Sequence, residues 1–296
     1  MRGSGDDGPP AATELEERDA LAARLADLGA RGELVLYEDG CRARVLALPS
    51  LDQEESTDCA PGGPVSPDGS LVARCVGERT EIRQAEADVL VRDVPGCPAA
   101  WLPDGVLTVA VDRAVVRCPE SCARTLIPRR ELERAARLHP SMPDVPSRVR
   151  VLVDGIAWLS RTRAAVLLSI RIGRLSGKGA LSAIAFFRDG RLDDARPYFR
   201  STGGRLGASP RGTYVTQTPD VLLRPDGTQV TLPPFLTGSL AFGHAFAWSP
   251  DERFVAVASR HAVHVLEVAS LERFDDNGFG LRSVTIPYRA ADLAWR

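Results

Sequence analysis

Apolar positions in this chain fall in short runs broken by small clusters of Ser, Pro, Asp and Gly, and one unit of that pattern returns several times. Its clearest copy spans residues 245–258: Phe246 and Trp248 alternate with small residues, Ser249-Pro250-Asp251 interrupts, and Phe254 restarts the apolar run. Alternation of period two on both sides of a turn cluster predicts two strands of one hairpin. Trp101-Leu102-Pro103-Asp104-Gly105 before residues 106–111 repeats the unit, as does Ser66-Pro67-Asp68-Gly69 before residues 71–73. Residues 155–160 followed by 164–170 form a looser copy, and Ser209-Pro210-Arg211-Gly212 opens another. The turn anchors Pro67, Pro103, Ser160, Pro210 and Pro250 stand about 36, 57, 50 and 40 residues apart. Spacing near 40 with four short strands per unit predicts blades of a β-propeller.

The rest of the chain fits round these repeats. Residues 1–12 lack hydrophobic residues of any size beyond Met1 and are expected to be disordered. A helix is predicted over residues 13–28: Thr13 and Glu16 form a capping box, Leu21, Leu25 and Leu28 share one face, and Gly29 stops it. It could pack on the domain or act as a spacer. A second short helix, residues 129–139, is expected within an insertion over 128–148, which accounts for the longest step. The chain finishes on Ala291-Asp292-Leu293-Ala294-Trp295, the opening strand of a repeat with nothing after it. The hairpin of residues 34–48, turning at Glu38-Asp39-Gly40, lacks such an opening strand. Joined, the two ends make a composite blade. With five complete repeats this predicts an all-β, six-bladed propeller over residues 32–296, closed between its N- and C-terminal strands, which leaves no free edge to template aggregation.

The Ala-Trp-Ser-Pro-Asp-Gly type of turn, seen in residues 247–251, 101–105 and 66–69, resembles the WD40-like or TolB-like bacterial β-propeller repeats. The resemblance covers residues 34–296 and implies the fold. The Trp-Asp pair of eukaryotic WD40 blades is missing, although Gly243-His244 precedes an opening strand. The hairpin around Cys41 and the helical insertion look like those of bacterial propellers of which several carry an N-terminal membrane anchor, and no such segment stands in this sequence.

Composition narrows function by exclusion. A net charge of −2 gives no general electrostatic attraction for nucleic acid or an acidic membrane. No apolar run approaches the ~20 residues of a membrane-spanning helix. Six cysteines, at positions 41, 59, 75, 97, 118 and 122, leave two readings open. Either they are reduced and buried, or they are disulfides in an extracytoplasmic or membrane-anchored protein whose start lies upstream. Pairings of Cys118 with Cys122, Cys75 with Cys97 and Cys41 with Cys59 are expected, out of fifteen possible connectivities.

Most eye-catching side chains have structural explanations. Trp101, Trp158, Trp248 and Trp295 occupy equivalent repeat positions, which predicts packing between blades rather than a sugar platform. Asp68, Asp104, Asp226 and Asp251 each offer one carboxylate per turn, too few for calcium, and serve the turn itself. Cys118 and Cys122 lack the further ligands of a zinc site. His261 and His264 should point to opposite faces of one strand. Gly173 to Gly179 fails as a phosphate loop, since three residues separate Gly173 from Gly177 and Gly179 replaces the hydroxyl residue that holds magnesium. No metal and no cofactor is expected. One charge feature remains: residues 155–187 hold no acid, yet carry Arg161, Arg163, Arg171, Arg174 and Lys178, a candidate patch for an anionic partner. The expected function is non-catalytic binding or scaffolding by a monomer with a protein or peptide ligand. A hydrolase or lyase with its site at the channel mouth, or an envelope-anchored sensor, are the alternatives.

Overall fold

The alternating runs do form strands, and one recurring side-chain contact builds the turns between them. A computed structural model describes residues 12–38, 42–56, 62–142, 149–172, 181–198, 206–217, 221–224, 228–232, 245–259, 261–271, 280–290 and 292–296. The start expected to be disordered lies outside these apart from residue 12, as do the Asp226 turn and Gly243-His244. Among the described residues the strands form six sheets, five of four strands and one of three, and the fold is a six-bladed β-propeller.

Residues 61–232 form one compact unit holding blades I to IV. Blade I contains β4 (Leu71–Val76), β5 (Arg79–Gln84) and β6 (Leu90–Pro95); its innermost strand is reduced to a single bridge, Val65 to Val72. Blade II is β7 (Ala99–Trp101), β8 (Leu107–Val111), β9 (Ala114–Cys118) and β10 (Arg124–Ile127). Blade III is the longest: β11 (Val149–Trp158), β12 (Arg163–Ile172), β13 (Leu181–Arg188) and β14 (Arg191–Tyr198). Blade IV is β15 (Leu206–Ala208), β16 (Val215–Gln217), β17 (Val221–Leu223) and β18 (Gln229–Thr231). The insertion before blade III carries α2 (Arg129–Arg137), whose Leu132, Ala135 and Ala136 are buried in the blade III core with Val166, Leu168 and Phe187. Glu131 also accepts the Leu192 N–H at 3.0 Å, which ties the helix to the outer strand of that blade.

The other compact unit is residues 1–60 with 233–296. Blade V is β19 (Phe246–Trp248), β20 (Phe254–Ala258), β21 (Val263–Glu267) and β22 (Ser283–Ile286). The motif at residues 245–258 predicts only the first two strands of this blade, which runs on to Ile286: after β21 the chain turns through α3 (Val268–Leu271) before its outer strand. Four residues of Ser-Val-Thr-Ile, with no repeat turn before them, are too short a pattern to stand out. The composite blade follows the order β23 (Asp292–Trp295), β1 (Gly32–Tyr37), β2 (Ala43–Leu48), β3 (Asp52–Ser56). β23 lies antiparallel to β1, with Leu34 opposite Trp295 and Tyr37 opposite Asp292. Glu33 and Arg296 extend the ladder with N–H to O bonds of 3.1 and 2.8 Å. The helix α1 (Ala12–Leu28) is no spacer: Leu25 and Leu28 are buried against Leu34, Leu46, Phe254 and Val284. Gly29, at φ +83°, stops it as expected.

The turns explain why the motif recurs. Ser66, Ser209 and Ser249 hold the same place in three of them, and in blade III, where Leu159 takes that place, Ser160 follows it and serves in its stead. Each hydroxyl accepts an N–H at the start of the next strand: Leu71 at 2.9 Å, Arg163 at 3.1 Å, Tyr214 at 3.0 Å and Phe254 at 2.9 Å. Ser66 and Ser249 donate in turn to Asp68 and Asp251, at 2.6 and 2.7 Å. Those carboxylates also accept the N–H two residues on, from Ser70 and Arg253 at 3.1 Å each. Blade II has Leu102 at the serine position and closes its turn with backbone bonds and Asp104. The fourth turn residue lies in the left-handed region, as Gly69, Gly105 and Gly212 in three blades and as Glu252 in blade V.

Trp101, Trp158 and Trp295 sit at blade seams, where they are half-buried rather than core residues. Each ring packs with its indole N–H spent on a neighbouring segment, as an amphipathic ring allows. Trp101 donates to Pro64 O at 2.9 Å and Trp158 to Thr108 Oγ1 at 2.8 Å, each reaching the preceding blade. Trp295 donates to Arg31 O at 3.1 Å and stacks on Phe254, with centroids 6.2 Å apart.

Two outcomes follow. Ending the chain at Arg289 removes β23 and leaves β1 with a bare edge; the truncated protein is expected to aggregate and to melt lower, as followed by light scattering and circular dichroism. An unchanged, monomeric melting transition would refute the ladder's importance. Second, burial pushes the Asp251 carboxyl up, but the bonds from Ser249 and Arg253 outweigh it, and its pKa falls below the ordinary 3.8. Ser66 and Ser70 lower Asp68 in the same way. Depressed acids stabilise the fold above the unfolded-state pKa and lose that contribution as pH falls through the folded one. Asp251→Ala should therefore lower the melting temperature at neutral pH and have much less effect near pH 2.

Candidate functional site

An antiparallel meander puts its first and third turns at the same end of a blade. In blade III this brings together the Ser160 turn and the Asp189-Gly190 turn, joined by Asp189 N–H to Thr162 O at 2.7 Å. Sheet register then fixes the charges. Arg163 on β12 is the direct partner of Arg188 on β13, and Arg188 of Arg191 on β14. Directly paired residues share a sheet face, so three guanidinium side chains form one row across the end of the blade.

Blade IV approaches this end through its own turn. Gly212, at φ +70°, packs so tightly that a Cβ there would lie 1.9 Å from Leu159 O. Between the two blades lies a groove of about 660 Å³ lined by Arg163, Arg188, Asp193, Asp194, Thr213 and Arg224, with Gly212 in its wall. Arg188 pairs with Asp193 at 3.3 Å, and Arg196 holds Asp194 at 2.9 Å. Arg224 lies over the ring of buried Tyr214, 5.9 Å from its centroid, within cation–π range. The Arg163 backbone is held at both polar atoms, its N–H by Ser160 Oγ and its C=O by the N–H groups of Leu159 and Ser160.

The basic stretch singled out by sequence is thus divided. Arg161 is exposed at the turn and Arg163 is half-buried in the groove, but Arg171 is exposed near the far end of β12. Eight residues of strand at ~3.3 Å each separate Arg163 from Arg171 by about 26 Å, so the two cannot serve one small patch. Arg174 and Lys178 lie outside the described residues. Arg188, Arg191 and Arg224 were not singled out; only the strand register and the neighbouring blade join them to Arg163.

Other candidates stand apart from the groove. Cys118 and Cys122 lie at disulfide distance, with Cα atoms 4.1 Å apart, as do Cys75 and Cys97, with Cα atoms 5.8 Å apart. Cys41 and Cys59 lie outside the described residues. Arg92 of blade I donates to Cys118 O and Pro119 O, at 2.9 and 2.6 Å, so the Cys118 loop also fastens the seam between blades I and II. His264 is buried on β21, with ring nitrogens 3.0 Å from Thr285 Oγ1 and 3.3 Å from Ser259 Oγ, whereas His261 precedes the strand and is exposed. His139 is buried beyond α2, where burial pushes its imidazole pKa down. The loop of Gly173 to Gly179 lies outside the described residues.

No protein-family model matches the chain, and no curated protein matches it. Among solved structures it is similar to the β-propeller domain of Cps50 (Swd1) from Myceliophteria thermophila, at 10% identity over 81% of this chain and 83% of that one, with a TM-score of 0.43. It is also similar to a putative TolB from Agrobacterium tumefaciens, at 15% identity over 88% of this chain and 92% of that one, with a TM-score of 0.39.

Oxidation of the two close cysteine pairs is the expected state. Alkylation without reduction should leave Cys75, Cys97, Cys118 and Cys122 unlabelled. Cys75 and Cys97 close a loop of 22 residues and Cys118 and Cys122 one of 4. Loop-closure entropy gives about 3 and about 2 kcal/mol respectively. Replacing the Cys75–Cys97 pair by serines should therefore cost more, measured by denaturant unfolding; four labelled thiols in native protein would overturn this.

Proposed function

We propose that the chain is a non-catalytic binding propeller, a stiff frame that presents the groove between blades III and IV to a segment of another protein. The observation that carries this reading is the make-up of that groove. Its volume falls in the range of ligand sites, but small-molecule pockets are mostly apolar, and this one is lined mainly by charged side chains. Such a lining suits a polar, extended ligand with many hydrogen-bonding groups.

Stiffness supports the same reading. The groove's side chains leave from strand ends and serine-locked turns, so little ordering is needed when a ligand arrives, and pre-organisation favours affinity. Both walls come from one chain, so the working unit in this reading is the monomer.

A displayed peptide library panned against the full chain tests it. We expect peptides of about micromolar affinity whose binding is weakened at least ~10-fold by Thr213→Trp, which fills the groove without altering its charge. A failure to select any peptide, or selected peptides indifferent to Thr213→Trp, would refute the proposal.

A further inference from the structure

We infer that the groove takes an acidic segment of its partner, with a carboxylate seated beside Arg163 and facing Arg224. This inference rests on the binding reading above and adds the chemistry of the ligand. Its first ground is the row of Arg163, Arg188 and Arg191. Like charges directly opposite each other on neighbouring strands are destabilising. Asp193 relieves Arg188, at 3.3 Å. Arg163 and Arg191 have no carboxylate partner among the described residues, and neither does Arg161 at the rim. A bound acid would relieve that repulsion.

The second ground is that both arginines start from anchored positions. Ser160 fixes the backbone of Arg163, and the Tyr214 ring supports the guanidinium of Arg224 from the opposite wall. A guanidinium is a planar fork that meets a carboxylate through two parallel hydrogen bonds. A lysine at either place would supply charge without that geometry.

The third ground concerns which anion fits. Asp193 and Asp194 line the same groove, so a dense run of phosphates would meet two carboxylates as well as the arginines. The chain's net charge of −2 also works against a polyanion. Single carboxylates, spaced by a peptide backbone, can meet the arginines while the rest of the segment passes the aspartates.

The test uses the full chain and a fluorescein-labelled peptide of about twelve residues, half Glu and half Gly, followed by fluorescence polarisation at about 50 and about 300 mM salt. We expect binding that weakens with salt and weakens at least ~10-fold in Arg163→Glu, with Arg163→Gln and Arg163→Lys falling between. Arg171→Glu, near the far end of the same strand, should change affinity less than ~2-fold. Circular dichroism melts establish that each variant folds, and Arg163→Gln serves if the charge reversal does not. Equal losses in Arg171→Glu and Arg163→Glu would overturn the inference. So would equal binding of a Lys-Gly peptide, or tighter binding of inorganic phosphate or a single-stranded oligonucleotide. If the library yields neutral or basic peptides that Thr213→Trp blocks, the acidic preference falls and the binding reading stands; if it yields none, both fall.

Discussion

The ladder between β23 and β1 joins residues 255 to 261 positions apart in sequence, and the composite blade depends on it. Four registered residue pairs and the flanking Glu33–Arg296 bonds turn two incomplete ends into one four-stranded sheet. Around that sheet the tail and head of the chain share a core: Leu25 and Leu28 of α1, Leu34 and Leu36 of β1, and Phe254, Val263 and Val265 of blade V are buried together. Gly32 belongs to this joint for a physical reason. It lies at φ +108°, and a Cβ there would stand 2.6 Å from Arg296 O.

Inside blades I, III, IV and V the controlling contact is local. A serine hydroxyl that receives the N–H of the coming strand fixes both the direction and the register of that strand. Once the strand start is fixed, the side chains near it are fixed too. This is how turn chemistry, which has nothing to do with ligands, comes to set the position of Arg163. Gly212 then allows the neighbouring turn to approach within a distance that no side chain would permit, and the groove is the space left beside that contact.

The charges in the groove illustrate why a propeller can carry recognition without disturbing its core. The arginines sit at strand ends, while the strand interiors of blade III, from Ala164 through Leu168 and from Ala183 through Phe187, are buried and apolar. Exposed ends can change with little effect on packing. Exposed ion pairs such as Arg188–Asp193 contribute little to stability, and they orient the side chains they join.

The turns, the number of blades and the joining of the two ends were all legible in the amino-acid sequence. Each of these rests on contacts within a few residues or on strand periodicity: Ser249 reaches only to Asp251 and Phe254, and the lone pattern of residues 292–295 needs a partner of complementary period. The sequence also showed the helix face of Leu21, Leu25 and Leu28, because helical spacing is local. The reduced inner strand of blade I and the outer strand β22 escaped it, since short strands are decided by neighbours rather than by their own pattern. The groove was decided by tertiary structure alone. Arg163 and Arg224 are far apart in the chain and meet only because two blades pack side by side, whereas Arg163 and Arg171 are near in the chain and are held apart by the length of the strand between them.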